Sequence, residues 1–242
     1  MSTEAQQDSA AASSSRPAAA AAAAAAKAPA GSTLSDLPSD LPAPEQDGAS
    51  KHLIGHPLPV LVELPCTKLS QPAQGNAEAE AEHDERGYVD LFNAALSRPV
   101  LLFIYPRTAR PDESIPASWN STPGARGCTP HLLSIPPLLA EMRKIEPDLA
   151  VFGLSAQSSA EQQEAADRLG LPFRLLSDAK GELREKLELP CFEWEGRTWL
   201  KRITLYLRES QCVNLDYPIF PSDTAGPRAL EMLRTYREHH TS

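Results

Sequence analysis

Apolar residues are unevenly distributed along the chain, and their spacing predicts where strands form. The run from Pro99 to Tyr105 is continuously apolar, which is typical of a central strand buried on both faces. A second such run, from Leu149 to Leu154, predicts another buried strand. Later in the chain, the segments 203–207 and 212–217 are separated by a polar turn and predict a β-hairpin.

Apolar residues occur at helical spacing in the segments between and after these strands. This spacing predicts helices over 138–145, 159–169, 178–189 and 228–239. Ser159 suits the N-cap of the second helix, with Gln162 at the capping-box position and Gly170 as its stop. Asp178 suits the cap of the third. This order of elements predicts an α/β fold, a thioredoxin-like sandwich with a central mixed sheet flanked by helices.

Composition separates this domain from two polar segments. Residues 1–50 are dominated by Ala, Ser and Pro and include an alanine run from Ala18 to Ala26. Such a segment has almost no apolar surface to bury, so burial cannot offset the conformational entropy lost on ordering it. We therefore expect a disordered tail over 1–50 and one folded domain over 51–242. Residues 70–86, rich in Ala, Glu and Gln, are expected to form an exposed insertion in that domain.

Charge and hydropathy argue against several classes of function. The net charge of −9 over 242 residues argues against a nucleic-acid partner. No apolar run approaches the roughly 20 residues of a membrane span, so no membrane partner is expected. The N-terminus lacks a hydrophobic secretory core, which makes the cytoplasm, or else the nucleus, the expected location. No CxxC pair or Cys/His cluster occurs, so we expect neither a metal nor a cofactor.

One cysteine, Cys128, stands where chemistry is expected. It follows a buried strand and a glycine-containing turn, and it precedes Pro130, which suits the first turn of a helix. A thiol there faces the positive end of the helix dipole and free backbone N–H groups, and both favour the nucleophilic thiolate. The alternative is that Cys128 is a small buried residue, as free cysteines commonly are. The residues alone leave both interpretations open.

Five segments, in order, resemble the peroxiredoxin family, especially its bacterioferritin-comigratory-protein branch and fungal relatives. They are Phe103–Pro106, Pro123–Pro130, Phe152–Ser155, Leu171–Asp178 and Leu200–Leu205. The resemblance implies a thiol peroxidase in which Cys128 attacks a peroxide and becomes a sulfenic acid. It implies that Arg202 stabilises the thiolate and the developing charge. It also implies a thiol reductant such as thioredoxin or glutathione, and a monomer or homodimer.

The chain departs from the family pattern at two positions near Cys128. The family usually has a threonine three residues before the cysteine, where this chain has Ala125, and Thr122 is the candidate to replace it. Two-cysteine members of the branch carry a resolving cysteine five residues after the first, where this chain has Leu133. These departures leave a second hypothesis open, a degenerate redox sensor or interaction module. A thioredoxin-type disulfide oxidoreductase is disfavoured because CxxC is missing.

Expectations for the remaining residues near this site are structural. Cys191 is the best internal candidate to resolve the sulfenic acid, whereas Cys66 and Cys212 are expected to be buried structural cysteines. His131 is expected to face solvent on the first helical turn. Two prolines, at 136 and 137, are expected to interrupt the helix that Cys128 begins.

Overall fold

A five-stranded mixed sheet forms the centre of the protein. The computed structural model describes residues 40–69 and 87–240. In chain order the strands are β1 (Glu63–Pro65), β2 (Tyr88–Asp90), β3 (Val100–Ile104), β4 (Ala150–Ser155), β5 (Arg174–Ser177), β6 (Cys191–Trp194), β7 (Arg197–Leu200), β8 (Ile203–Arg208) and β9 (Gln211–Asp216). The central sheet has the order β5-β4-β3-β8-β9, in which β3, β4 and β5 are parallel and β8 and β9 antiparallel to their neighbours. Two antiparallel pairs, β1-β2 and β6-β7, lie outside it.

Helices cover both faces of this sheet. They are α1 (Leu91–Ser97), α2 (Ala117–Asn120), α3 (Cys128–Leu133), α4 (Leu139–Ile145), α5 (Ser159–Leu169), α6 (Glu182–Lys186) and α7 (Ala225–His240). Short 3-10 turns occur at Lys51–Leu53, Pro136–Leu138 and Ser222–Thr224. The helices of the described part are too short or too polar to cross a bilayer.

Alternate side chains of β3 point to opposite faces of the sheet, and all of them are apolar, so both faces need a covering layer. Val100, Leu102 and Ile104 pack into a core with α1 and α6, whereas Leu101 and Phe103 pack into a second core with α3, α4, α5 and α7. All five residues of the strand are fully buried, as a continuous apolar run requires. The predicted α/β thioredoxin-like sandwich is therefore confirmed.

Neighbouring segments pair with both edges of the sheet. On β9, the Cys212 N–H donates to the carbonyl of His56 at 3.1 Å, and the Gly55 N–H donates to the carbonyl of Cys212 at 2.7 Å. On β5, the Thr67 N–H donates to the carbonyl of Leu175 at 2.9 Å. The chain that precedes β1 and the chain that follows it thus satisfy backbone groups that edge strands otherwise leave unpaired.

The predicted tail and insertion lie mostly outside the described residues, which omit 1–39 and 70–86. Residues 40–50 are described, and those from 42 to 47, hereafter the strap, contact the folded domain. The strap begins where the carbonyl of Pro42 accepts the Gly124 N–H at 3.3 Å. It ends where the Asp47 carboxylate lies 2.6 Å from the Lys201 ammonium. This part of the predicted tail therefore packs on the loop that precedes Cys128.

Two predicted helix starts need correction. The N-cap of α5 is Ser158 and not Ser159, because Ser158 forms a reciprocal capping box with Glu161. Gln162, placed in that box by the sequence, is instead fully buried. The helix predicted to follow Asp178 is also shorter than expected, since α6 spans only 182–186, although the Asp178 carboxylate does accept the Leu183 and Arg184 N–H groups.

Candidate active site

Cys128 is the first residue of α3 and lies almost entirely out of solvent. Its side chain is 4% exposed, and its Sγ lies 3.6 Å from the carbonyl oxygen of Ala125, to which a thiol can donate. Gly127 forms the N-cap with a φ of 100°, a left-handed conformation that favours glycine. The first backbone N–H groups of a helix have no intrahelical partner. Cys128 therefore lies at the end of α3 where backbone donors are available.

Arg202 reaches the Cys128 sulfur from the start of β8, the strand next to β3. β8 pairs with β3 so that Ile203 lies opposite Ile104, and Arg202 therefore lies just beyond the carboxyl end of β3. Its guanidinium is buried, and Nη2 lies 3.4 Å from the Cys128 Sγ. The same nitrogen donates to the carbonyls of Gly124 at 3.3 Å and Arg126 at 3.1 Å. The structure thus brings together the two residues that the resemblance paired.

His131 occupies a position that differs from the sequence-based expectation. It is 0% exposed, and neither ring nitrogen has a hydrogen-bond partner among the described residues. Its ring lies 6.0 Å from that of Phe103 and 6.1 Å from that of Tyr105. Burial, and then the charge of Arg202, hold the pKa of His131 well below its usual 6.5, so the imidazole is neutral. The spacing of three residues from Cys128 on a helix was the available signal, since such residues share a face.

Tyr105 forms part of the same buried surface. Its hydroxyl donates to the Oε1 atom of Gln162. The Nε2 atom of Gln162 donates to the Ser155 hydroxyl at 3.0 Å and to the Leu176 carbonyl at 2.8 Å. Burial, and then electrostatic interaction with the ionised form of Cys128, raise the pKa of Tyr105 far above its usual value. Tyr105 therefore stays protonated and fixed as a hydrogen-bond donor.

Solved structures of known function match this fold, although no family model matches the chain and no curated protein matches it. Peroxidoxin BcpB from Mycobacterium tuberculosis has a TM-score of 0.54 at 20% identity, over 75% of this chain and 96% of that one. The bacterioferritin comigratory protein of Xanthomonas campestris, a protein with alkyl peroxide reduction activity, has a TM-score of 0.50 at 17% identity, over 74% of this chain and 98% of that one. AhpC from Enterococcus faecalis has a TM-score of 0.52 at 15% identity, over 78% of this chain and 96% of that one. The chain has the fold of the peroxiredoxins.

Within this peroxiredoxin fold, Thr122 does not contact the sulfur through any hydrogen bond of the described residues. Its hydroxyl donates to the carbonyl of Ser118 at 2.8 Å, as part of the turn that ends α2. Ala125, at the position of the usual threonine, is fully buried. Arg126 contributes its carbonyl to Arg202, and its half-buried guanidinium has an Nε atom without a partner in the described part.

The other three cysteines are free and differ in exposure. Cys191 is exposed and begins β6, a strand that the sequence did not predict. Cys212 is buried in β9, as expected, and burial raises the pKa of its thiol to about 12. Cys66 is half-buried and forms an isolated bridge to Leu176 beside β5.

Aromatic rings pack behind the loop that carries Cys128. The tryptophan cluster consists of Trp119, Trp194 and Trp199, with ring centroids 4.9 Å and 5.6 Å from Trp119. The Arg107 guanidinium lies 5.0 Å from the Trp119 centroid, within the range of a cation–π contact. Ala125, whose carbonyl lies next to the sulfur, packs against this cluster. The tryptophan cluster therefore packs against the loop that precedes Cys128.

Proposed function

We propose that the protein is a thiol peroxidase of the peroxiredoxin family, in which Cys128 reduces hydrogen peroxide and organic hydroperoxides. The observation that carries the proposal is the 3.4 Å contact between Arg202 Nη2 and Cys128 Sγ at the start of α3. A buried guanidinium beside a cysteine favours the thiolate, which is the attacking form. The physiological role that follows is removal of peroxides and maintenance of the cellular redox balance.

The reaction is a displacement at oxygen. The Cys128 thiolate attacks the terminal oxygen of the hydroperoxide, a sulfur–oxygen bond forms, and the oxygen–oxygen bond breaks. Cysteine is oxidised to a sulfenic acid, and the peroxide is reduced to an alkoxide or hydroxide that takes a proton from water. Negative charge moves from sulfur to the leaving oxygen, and Arg202 stabilises this charge because a fixed donor needs no reorganisation during the reaction.

The buried surface around the sulfur favours this step. His131 is neutral, so the positive charge in contact with the sulfur comes from Arg202, and Tyr105 is a fixed hydroxyl held by Gln162. Arg202 Nη1 is buried and has no partner among the described residues. This nitrogen is the free donor that a bound peroxide oxygen would accept from, while Nη2 stays on the sulfur.

Reduction of the sulfenic acid requires an external thiol in this proposal. The first thiol condenses with the sulfenic acid to give a mixed disulfide and water, and a second thiol releases Cys128 as thiolate with formation of the disulfide of the reductant. Thioredoxin or glutathione in the cytoplasm would supply these electrons. A cysteine at position 133, which would allow a local disulfide, is replaced by leucine.

A second candidate function is a redox sensor or interaction module that oxidises once and turns over poorly. The observations that favour it are Ala125 at the position of the usual threonine and a Thr122 hydroxyl that is already bonded to Ser118. Without a hydroxyl at that position, the peroxide has one fewer hydrogen-bonding group to orient it. This candidate keeps the sulfenic acid but not efficient catalysis.

Peroxide consumption by the purified protein with dithiothreitol separates the two. If the protein is a peroxidase, each molecule should consume many equivalents of peroxide, and Cys128→Ser should lose all of this activity. Cys191→Ser is the matched control and should keep it. The sensor predicts a single equivalent of peroxide consumed and a sulfenic acid at Cys128 by mass spectrometry. Absence of any oxidation at Cys128 would contradict both functions.

A further inference from the structure

We propose that the strap, residues 42–47, forms one wall of the pocket through which peroxides reach Cys128, and that it selects small hydroperoxides over bulky ones. This inference rests on the proposed peroxidase function and extends it to the class of substrate. It concerns a segment that composition assigned to the tail. Three sets of contacts carry it: those to the Cys128 loop, those to Lys201 and Tyr217, which flank β8 and β9, and the lining of the pocket.

The first end of the strap lies on the loop that carries the sulfur. The Gly124 N–H donates to the carbonyl of Pro42 at 3.3 Å. Pro44 covers the same glycine so closely that a Cβ on Gly124 would lie 3.3 Å from the Cβ of Pro44. The Gly124 carbonyl accepts from Arg202, which contacts Cys128. The strap thus contacts the residue that holds the active-site arginine in place.

The other end of the strap is anchored beside that arginine. One Asp47 carboxylate oxygen accepts from the Lys201 ammonium at 2.6 Å, and the Tyr217 hydroxyl donates to the other at 2.9 Å. Lys201 directly precedes Arg202 in the chain. The hydrogen bond from Lys201 lowers the pKa of Asp47 to about 2, so this anchor stays charged at physiological pH. The strap is therefore fixed at both sides of Arg202.

A pocket lies between the strap and Arg202. Pro44 of the strap faces a lining that includes Gly124, Phe192, Lys201, Arg202 and Tyr217. Arg202 is 3% exposed and forms part of this lining, and its Nη2 atom lies 3.4 Å from the Cys128 sulfur. Apolar walls above a buried donor suit the small apolar group of a hydroperoxide, and Pro44 limits how large that group can be.

Full-length Asp47→Ala and Pro44→Gly test the selection. Asp47→Ala releases the anchor, Pro44→Gly removes the wall, and Asp40→Ala is the matched control because it removes an exposed carboxylate just before the strap. We expect the ratio of kcat/KM for cumene hydroperoxide to that for hydrogen peroxide to rise about tenfold in both variants, in the range by which pockets discriminate between apolar groups. Asp40→Ala should keep the wild-type ratio.

A second measurement does not depend on peroxidase activity. The rate of modification of Cys128 by a bulky maleimide should rise more than the rate with iodoacetamide in both strap variants, in a background with Cys66, Cys191 and Cys212 replaced by alanine. The proposal would be overturned if two ratios stayed at their wild-type values in variants with the wild-type melting temperature. These are the ratio of kcat/KM for the two peroxides and the ratio of the maleimide to the iodoacetamide rate. If no protein consumes peroxide but the maleimide rate rises, the strap is confirmed as a wall and the peroxidase function fails.

Discussion

Arg202 uses a single nitrogen to contact the Gly124 and Arg126 carbonyls and the Cys128 sulfur. A planar guanidinium can hold these contacts while Nη1 remains available, whereas the ammonium of lysine is a compact charge on a flexible stem. A lysine at this position would therefore not reproduce the same set of contacts.

We predict that Arg202→Lys lowers the second-order rate of Cys128 oxidation by about 100-fold, the effect of losing one preorganised donor. Stopped-flow oxidation by hydrogen peroxide measures this rate. Arg234→Lys, which alters an exposed ion pair with Glu141, is the control and should react like the wild type. A lysine variant as fast as the wild type would show that charge alone is sufficient.

His131 gives the protein a predictable dependence of stability on pH. Its pKa is well below 6.5 in the folded state because it is buried near Arg202. Below its ordinary pKa the unfolded chain binds a proton that the folded chain does not, so the free energy of unfolding falls with falling pH, by at most about 1.4 kcal/mol per pH unit from this group.

His131→Leu should remove that contribution, so that its urea-unfolding free energies fall less than those of the wild type between about pH 7.5 and about pH 5. Leucine also removes two buried nitrogens that lack partners among the described residues, so we expect little loss of stability at neutral pH. His239→Leu, at an exposed position of α7, should keep the wild-type slope. Parallel wild-type and His131→Leu curves would contradict the assignment.

At the scale of elements, α3 and α7 approach each other unusually closely. Gly226, in the first turn of α7, donates its N–H to the Ser134 hydroxyl at 2.9 Å. A Cβ at Gly226 would lie 2.1 Å from the Ser134 carbonyl oxygen, which is backbone and cannot move aside without shifting the chain after α3. This contact joins the residue that follows α3 to the first turn of α7.

Gly226→Ala should therefore destabilise the protein by about 2 kcal/mol or more, as overpacking does. Thermal and urea unfolding measure the loss, with Glu231→Ala on the exposed side of α7 as control. The strain falls on the segment after Cys128, so the rate of Cys128 oxidation should change along with stability. A fully stable alanine variant would mean that the two helices separate easily.

The elements that the sequence predicts well are those whose signal is local. β3 and β4 have continuous apolar runs, and Pro136 marks the break after α3 that the structure contains. β6 was missed because its outer positions, such as Cys191 and Glu193, are exposed, and its inner ones are half-buried against the tryptophan cluster. The burial of His131 was missed for a similar reason, since residues distant in the chain cover it.

At the scale of the whole molecule, the cysteines are distributed in a way that favours reduction by an external thiol. Cys212 is buried, and the raised pKa of its thiol leaves little thiolate at neutral pH. Cys66 lies beside β5 at one edge of the sheet. Cys191 is a free thiol on β6, where it lies opposite Leu200 of β7, and no disulfide joins it to Cys128.

We predict that Cys66→Ser, Cys191→Ser and Cys212→Ala each keep wild-type steady-state turnover with thioredoxin or glutathione as reductant. The sulfenic acid would then wait for an external thiol and be open to over-oxidation, which mass spectrometry detects as a sulfinic acid at Cys128. Collapse of turnover in any one variant would identify that cysteine as a resolving partner and refute the one-cysteine route.

The tryptophan cluster gives the protein an intrinsic fluorescence signal that comes from one region of the fold. The sequence contains three tryptophans, and all of them lie in this cluster, which packs against Ala125 in the loop before Cys128. Indole emission is sensitive to the surroundings of the ring, and here the whole signal comes from one place instead of being averaged over the domain. Any movement of the loop when Cys128 is oxidised to a sulfenic acid should therefore change the tryptophan emission in real time, without an attached dye. The emission of Cys128→Ser should not change when peroxide is added.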